Sequence, residues 1–102
     1  MDIDRYAKWA ATIQVGRPPI QDDIKLLSYL CIGLASEAGE LGGLVKKLLR
    51  DGEWNAEQAA DELGDVAYYF ARLCAALGKN PSELLDQSVA KIEARIKGAT
   101  SN

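Results

Sequence analysis

Residues 27–48 of this chain read LSYLCIGLASEAGELGGLVKKL. Leucines recur in this stretch at alternating steps of three and four, which is the spacing of one face of an α-helix. They stand at Leu27, Leu30, Leu34, Leu41, Leu44 and Leu48. Glu37 fills the gap between Leu34 and Leu41, so the stretch predicts a long amphipathic helix with one carboxylate in its apolar line.

The same pattern occurs in a second stretch, where Glu62 interrupts an apolar line. The other members of that line are Ala59, Val66, Tyr69, Leu73 and Ala76. Each of the two glutamates is followed three residues later by another acid, Glu40 after Glu37 and Asp65 after Glu62. Positions three apart on a helix lie on the same face. The sequence therefore predicts two acidic turns, which bring four carboxylates to a shared core.

Carboxylates in an apolar line need a compensating positive charge, because an unpaired charge taken out of water costs on the order of several kcal/mol. No Lys or Arg stands three or four residues after Glu37 or Glu62. The chain has no histidine, and carboxylates offer only oxygen ligands, so the pattern favours Mg²⁺, with Mn²⁺ as the alternative, over zinc or a di-iron centre. Acidic pairs on helices are more often a solvated face, but the apolar setting and the repetition favour a metal site here.

Helix-breaking and helix-capping residues divide the chain into four helices, and no strand pattern is present. The predicted helices span about residues 3–14, 22–50, 55–78 and 80–97. Gly and Pro residues end the first of them, and Asn residues begin the last two. We therefore expect one all-α domain over residues 1–102, in which residues 98–102 form a frayed tail.

Four glycines lie inside the second predicted helix, where each costs about 0.5–1 kcal/mol relative to alanine. They are Gly33, Gly39, Gly42 and Gly43. Close packing of another backbone or a ligand would compensate for them, and a kink near Gly42 and Gly43 is the alternative. Both cysteines, Cys31 and Cys74, lie in apolar helical stretches and are expected to be buried free thiols.

The composition predicts an oligomeric and soluble protein. Of the 102 residues, 48% are apolar, which is at the top of the usual range for one domain, so we expect a homodimer or homotetramer that covers apolar faces. The net charge of −3 provides no basic surface for a nucleic acid polymer. No apolar signal core or membrane span of roughly 20 residues is visible, so we expect a cytoplasmic protein without membrane contact.

The two acidic motifs, Glu-x-x-Glu at residues 37–40 and Glu-x-x-Asp at residues 62–65, resemble those of the MazG-like all-α nucleoside triphosphate pyrophosphohydrolases. Lys91 and Arg95 match the Lys-x-x-x-Arg pair on the last helix of these enzymes, and the resemblance covers residues 25–97. It implies a four-helix MazG-like domain that packs with a partner chain into an oligomeric bundle around Mg²⁺. It also implies hydrolysis of (deoxy)nucleoside triphosphates between the α and β phosphates, to a monophosphate and pyrophosphate, in nucleotide-pool house-cleaning.

The expected chemistry gives the four acids two roles. Glu37, Glu40, Glu62 and Asp65 would hold the metal. Glu37 or Glu40, where not fully used as a ligand, would also accept the proton of the attacking water as the catalytic base. Several relatives carry an additional Glu where this chain has Ser36, so the resemblance leaves the identity of the base open.

Four further residues are candidates for binding the substrate. The resemblance implies that Lys91 and Arg95 stabilise phosphate charge as pyrophosphate leaves. Tyr69 lies one turn after Asp65 and is expected to touch the sugar or base. Lys47 could approach phosphate, although its place near a helix C-terminus explains it equally well.

Two other functions fit the same residues. The chain could be a non-catalytic helical interaction module, in which the acids form an inert cation site or a polar layer between subunits. It could also act on phosphoribosyl-ATP, since the pyrophosphohydrolases of histidine synthesis share this chemistry and these acids.

Overall fold

The computed structural model describes the backbone of residues 1–100 and the side chains of residues 1–98. It contains four helices, α1 Ile3–Ala10, α2 Asp23–Asp51, α3 Ala56–Ala76 and α4 Pro81–Thr100. No strand occurs within residues 1–100. The prediction of an all-α chain with four helices is therefore confirmed.

Side chains cap the starts of the helices, where backbone N–H groups have no partner in the helix itself. Asp2 accepts a hydrogen bond from the Arg5 amide, Asp22 from the Lys25 amide and Asn55 from the Gln58 amide. The start of α4 is capped from another helix. Asp4 of α1 accepts from the amide of Ser82 at 3.0 Å and from its hydroxyl at 2.6 Å.

The first helix is shorter than predicted, because it ends at Ala10 rather than near residue 14. Arg72 of α3 causes much of the difference. Arg72 as a whole is only 9% exposed, and its guanidinium group donates to the carbonyl oxygens of Ala10 at 2.6 Å and Ile13 at 2.9 Å. Carbonyl groups that would continue the helix are thus bound from a distant part of the chain, which a local pattern cannot reveal.

Replacing Arg72 with methionine is expected to destabilise the fold by about 2–4 kcal/mol. The substitution keeps the length of the side chain but leaves two carbonyl oxygens without their charged donor. Chemical denaturation followed by circular dichroism measures the loss, and Arg5→Met, at an exposed position of α1, serves as the control. A change within about 0.5 kcal/mol would contradict this role of Arg72.

The last helix is longer than predicted, because Gly98 does not end it and α4 continues to Thr100. The backbone of residues 98–100 is thus helical, fraying of the tail stays a prediction, and residues 101–102 lie outside the described residues. Gly98 does not adopt the left-handed conformation that makes a glycine a helix stop, whereas Gly52, with φ of 73°, does so at the end of α2.

The main packing unit is the antiparallel pair of α2 and α3, and α1 packs across α3. The predicted apolar lines of α2 and α3 face each other, with Leu30 and Ala59 buried between them. A small cluster of Ala7, Ala10 and Ala71 joins α1 to α3. The seam predicted for α2 is confirmed over its central part, although Leu27 at its beginning is 39% exposed.

Gly33 allows α2 and α3 to approach closely, as predicted. A Cβ atom added there would lie 2.5 Å from Cζ and 2.8 Å from Cδ1 of the Tyr69 ring. The other three glycines of α2 have open space where a Cβ atom would stand. The helix α2 continues through Gly42 and Gly43, so it has no break there, and the alternative of a kink stays a prediction.

A large apolar surface remains exposed. On α4, Leu85, Val89, Ile92 and Ile96 are between 45% and 59% exposed and lie one helical turn apart. On α2, Ile24, Val45 and Leu49 are exposed, and so is Cys31, contrary to the prediction of a buried thiol; Cys74 is buried as predicted. Among the described residues, no element covers these exposed side chains of α2 or the apolar stripe of α4, which consists of Leu85, Val89, Ile92 and Ile96.

The size of the molecule also indicates that much of its surface is left uncovered. Its accessible surface is 7584 Å², whereas a compact monomer of 11.1 kDa exposes about 5,700 Å². Its radius of gyration is 16.8 Å, against about 13 Å for a compact domain of this length. The chain therefore exposes about 1,900 Å² more surface than a compact monomer would. Among the described residues, no helix combines the length and the apolar character needed to cross a bilayer.

Candidate metal centre

Three carboxylates from the two packed helices meet at one point of the α2·α3 pair. Glu37 and Glu40 project from successive turns of α2, and Glu62 projects from α3. One oxygen from each lies within 4.8 Å of the others. The convergence of the two acidic motifs, predicted from the apolar lines that they interrupt, is thus present for three of the four acids.

The cluster contains buried oxygen atoms without partners. Oε2 of Glu37 and Oε2 of Glu62 are buried and form no hydrogen bond, and Glu62 as a whole is only 9% exposed. None of the ion pairs formed by the described side chains involves these carboxylates. The Glu37 carboxyl group, burial and the Glu40 carboxyl group raise the pKa of Glu62 to about 7, in that order of importance. A cation bound to these oxygens would therefore offset the cost of burying the carboxylates without partners.

The donor set fits a hard divalent cation. All three groups offer carboxylate oxygen, the ligand that Mg²⁺ and Mn²⁺ prefer. Two oxygens bound to one Mg²⁺ are at most about 4.2 Å apart, since each lies about 2.0–2.1 Å from the ion. Adjustments of a few tenths of an ångström in side-chain position would therefore bring the three oxygens, which lie within 4.8 Å of one another, onto one ion.

The affinity for Mg²⁺ is expected to rise with pH between about 6 and 8. The pKa of Glu62 is about 7 in the folded protein, so an ion must displace a proton below that pH. The stability of the metal-free fold changes with pH in the opposite direction. A carboxyl group whose pKa is raised above 4.5 in the folded protein makes the fold less stable as pH rises towards 7. Calorimetric titration with MgCl₂ at pH 6, 7 and 8, in buffers of different ionisation enthalpy, measures both the affinity and the proton released. An affinity independent of pH would contradict the prediction.

The fourth predicted ligand, Asp65, is not in the cluster. It is exposed one turn after Glu62, and its charge contributes to raising the pKa of Tyr6 on α1, after the larger effects of burial and Tyr68. Asp65 therefore lies on the side of α3 that faces α1. The spacing of three residues places it on the same general face as Glu62 but not at the same point.

Tyr69 does lie beside the acids. With Glu37 it borders a cavity of about 240 Å³, whose other lining residues are Tyr29, Ile32, Gly33 and Ser36. Burial raises the pKa of the Tyr69 phenol, and the neighbouring Tyr29 and Glu37 side chains raise it further. The expected position of Tyr69 next to the acidic cluster is thus present, and the glycine inside α2 was the sequence signal for this close contact.

Lys47 lies farther along α2 and forms an ion pair with Glu53 at 3.3 Å. It lines a separate cavity of about 330 Å³ together with Trp54 and the first turn of α3. Trp9 and Trp54 are each about half exposed, so neither is a core residue. The structure does not bring Lys47 into the acidic cluster.

Lys91 and Arg95 are exposed in the second half of α4. That helix packs against α1, and neither residue takes part in an ion pair of the described side chains. Within one chain, no ion pair of the described side chains connects Lys91 or Arg95 with the acidic cluster.

The chain is similar to a phage protein. The Gene 37 protein of Mycobacterium phage L5 is 38% identical to this chain over 79 residues, which cover 72% of this chain and 69% of the phage protein. No model of a protein family matches the chain, and no solved structure matches it. The MazG-like identity drawn from the motifs stays a prediction.

Proposed function

The chain belongs to the same family as the Gene 37 protein of Mycobacterium phage L5, and we propose that it is a Mg²⁺-dependent nucleoside triphosphate pyrophosphohydrolase. The proposed reaction is attack of water on the α phosphorus, which forms a P–O bond to the water oxygen and breaks the bond to the α–β bridging oxygen. The products are a nucleoside monophosphate and pyrophosphate. Such an activity in the cytoplasm would remove unwanted nucleotides from the pool.

The observation that carries this proposal is the cluster of Glu37, Glu40 and Glu62, with its two buried and unpartnered oxygens. A partly buried group of like charges is destabilising unless it binds a cation or a proton, so selection for stability alone does not account for it. Bound Mg²⁺ would neutralise triphosphate charge and lower the pKa of the attacking water.

The chain's own residues divide the remaining work. Glu37 and Glu62, which have the unpartnered oxygens, would be the principal ligands. Glu40 is the most exposed of the three clustered acids. It is therefore best placed to accept the proton from the attacking water as it forms the new bond, and Glu37 is the alternative base.

We place the basic pair in the site through a second copy of the chain. The excess of about 1,900 Å² per chain equals what an obligate homodimer buries on each side, about 1,000–2,500 Å². The stripe of Leu85, Val89, Ile92 and Ile96 has the three-and-four spacing of a helix that packs along another helix. Arg95 lies on the flank of this stripe, one turn after Lys91, so covering the stripe with a partner would bring that flank of the basic pair towards the partner's surface.

The experiment is an assay of the purified protein with Mg²⁺ and a panel of canonical and modified nucleoside triphosphates, including phosphoribosyl-ATP. Reaction in ¹⁸O-labelled water is decisive for the bond cleaved, since attack at the α phosphorus places the label in the monophosphate and not in pyrophosphate. Activity should disappear with EDTA and in Glu62→Gln but persist in Asp61→Asn, an exposed acid of the same helix. If no substrate of the panel yields pyrophosphate, the proposal fails.

One observation favours the alternative of a helical interaction module. The exposed apolar stripe of α4 would mediate association whether or not the acids are catalytic. Turnover by the wild-type protein distinguishes the two functions, because a module would dimerise and bind a cation without releasing pyrophosphate.

A further inference from the structure

We propose that the contact between Gly33 of α2 and the Tyr69 ring of α3 sets the spacing of the two helices at the acidic cluster, and so makes the site select Mg²⁺ over the larger Ca²⁺. Gly33 and Tyr69 are thus positioning residues that act through the carboxylates. This role rests on the proposed function, because the cluster is taken as its Mg²⁺ site. It gives the cation selectivity a structural origin outside the ligands themselves.

The contact lies on the same helix faces as the acids. Gly33 stands four residues before Glu37 on α2, so it faces the same side one turn away, about 6 Å along the axis. Tyr69 stands seven residues after Glu62, on the same side of α3 two turns away. Because α2 and α3 run antiparallel, the contact lies in the layer of side chains next to the cluster. A change in the helix spacing at this layer therefore also changes the distance between Glu37 and Glu62.

The absence of a side chain at position 33 lets the helices approach this closely. A Cβ atom added to Gly33 would overlap the Tyr69 ring, at 2.5 Å from Cζ and 2.8 Å from Cδ1. The distance between two packed helices depends on the side chains at their contact. Tyr68 meets Tyr69 edge to face, with ring centroids 5.3 Å apart and planes at 76°, and so limits movement of the ring on one side. A residue with a Cβ atom at position 33 therefore requires the ring or the helices to move.

Either movement would disturb Glu37. If the helices separate, Glu37 moves away from Glu62. If the Tyr69 ring instead moves into the cavity of about 240 Å³ beside it, the ring presses on Glu37, which lines the same cavity. Both movements change the distances among the three clustered oxygens, which lie within 4.8 Å of one another when glycine is present.

The two cations tolerate such a change differently. Oxygens bound to one Mg²⁺ are at most about 4.2 Å apart, whereas those bound to one Ca²⁺ are up to about 5.2 Å apart, since Ca²⁺–oxygen distances reach about 2.6 Å. The observed limit of 4.8 Å lies between these two values. Mg²⁺ also requires nearly ideal octahedral geometry, while Ca²⁺ accepts irregular sites. Widening or distortion of the cluster therefore weakens Mg²⁺ binding more than Ca²⁺ binding.

The test compares Gly33→Ala with Gly42→Ala. Both replace a glycine of α2 with alanine, so their effects on helix propensity match. Gly42 lies nine residues further on, which is the opposite face of the helix, and has open space where a Cβ atom would stand. Titration calorimetry of the purified protein with MgCl₂ and with CaCl₂, without nucleotide, gives the ratio of the two affinities.

We expect Gly33→Ala to weaken Mg²⁺ binding at least about tenfold, the usual loss when a group that orients metal ligands is changed. Binding of Ca²⁺ should weaken by a smaller factor, so the Mg²⁺-to-Ca²⁺ affinity ratio falls. Gly42→Ala should change neither affinity. If Gly33→Ala alone does not fold, Tyr69→Trp enlarges the ring on the other side of the same contact and should lower the ratio in the same direction.

A rescue separates this role from a general loss of stability. Leucine at position 69 lacks the Cε1 and Cζ atoms that the added Cβ atom would meet, so Gly33→Ala combined with Tyr69→Leu should regain most of the affinity ratio. The positioning role is overturned by an unchanged ratio in Gly33→Ala, or in Tyr69→Trp where that variant replaces it. A double variant that keeps the lowered ratio overturns it as well.

Failure of this role and failure of the proposed function give different results. An unchanged ratio in a protein that still releases pyrophosphate overturns the positioning role alone. A ratio that falls and is rescued as expected, in a protein that hydrolyses no triphosphate, overturns the proposed function alone. A wild-type protein that binds neither cation overturns the metal centre and the positioning role together.

Discussion

Replacing Glu62 with glutamine is expected to abolish Mg²⁺-dependent turnover and, at the same time, to stabilise the metal-free protein at pH 8. Activity should fall by at least about 10²–10³, the loss seen when one group that stabilises transition-state charge is removed. Stability should rise because the substitution removes a buried carboxylate whose pKa is about 7 and whose Oε2 atom has no partner. Few substitutions improve a fold while destroying its activity, so the combined result identifies a functional site.

Thermal melts with and without Mg²⁺ measure the stability half of this prediction. The wild-type melting temperature should rise on addition of Mg²⁺, while that of Glu62→Gln should start higher and respond little. Glu37→Gln should behave in the same way, since Glu37 has the second unpartnered oxygen. Asp61→Asn removes the same charge from an exposed position and controls for net charge. If Glu62→Gln is more stable but binds and hydrolyses nucleotides as the wild type does, the acids are a structural layer and the module is the correct function.

Placing two charges on the stripe of α4 is expected to convert a homodimer into a monomer. Val89→Glu with Ile92→Glu would bury two unpaired carboxylates in the proposed interface, at a cost on the order of several kcal/mol, which weakens association at least about 10³-fold. Light scattering coupled to size exclusion measures the mass, which should drop from twice 11.1 kDa to 11.1 kDa. Gln87→Glu with Ala94→Glu adds the same charges to the opposite, exposed face of α4 and should leave the dimer intact. A monomeric wild type would contradict the proposed interface.

Mixing two inactive variants tests whether the basic pair acts across the dimer. One variant carries Lys91→Ala and Arg95→Ala, and the other carries Glu62→Gln. If each site combines acids of one chain with the basic pair of its partner, every heterodimer contains one intact site of two. About half of the dimers in an equimolar mixture are heterodimers, so about a quarter of wild-type activity should return. If the basic pair serves its own chain, no site with all of these residues forms and the mixture stays inactive.

The parts of the molecule that depend on local spacing were predictable. The interrupted leucine line placed Glu37 and Glu62 towards a shared interface, and the capping residues Asp22 and Asn55 stand at the helix starts as their chemistry requires. The end of α1 was not predictable, because Arg72, which binds the carbonyl groups there, lies about sixty residues away. The site was predictable only to the resolution of a helical turn, which is why Asp65 was assigned to it.

The position of Lys91 and Arg95 shows a second limit. Their spacing places them on one face of α4, but no periodicity states which helix that face will meet. In this chain α4 packs against α1, where Asp4 accepts hydrogen bonds from Ser82 near the start of α4. An interface with another chain is visible in the sequence as an apolar face, but that face does not show which partner covers it.

The acidic cluster is contained in one helical hairpin, and this has a consequence for how the chain assembles. Helices α2 and α3 are consecutive, so their contacts close a short loop, whereas α1 and α4 are joined through residues 78 positions apart. Contacts between nearby segments form faster because they cost less chain entropy. The three carboxylates should therefore converge early in folding, before the terminal helices dock. A divalent cation present at that stage would stabilise the hairpin of α2 and α3, on which the terminal helices then pack.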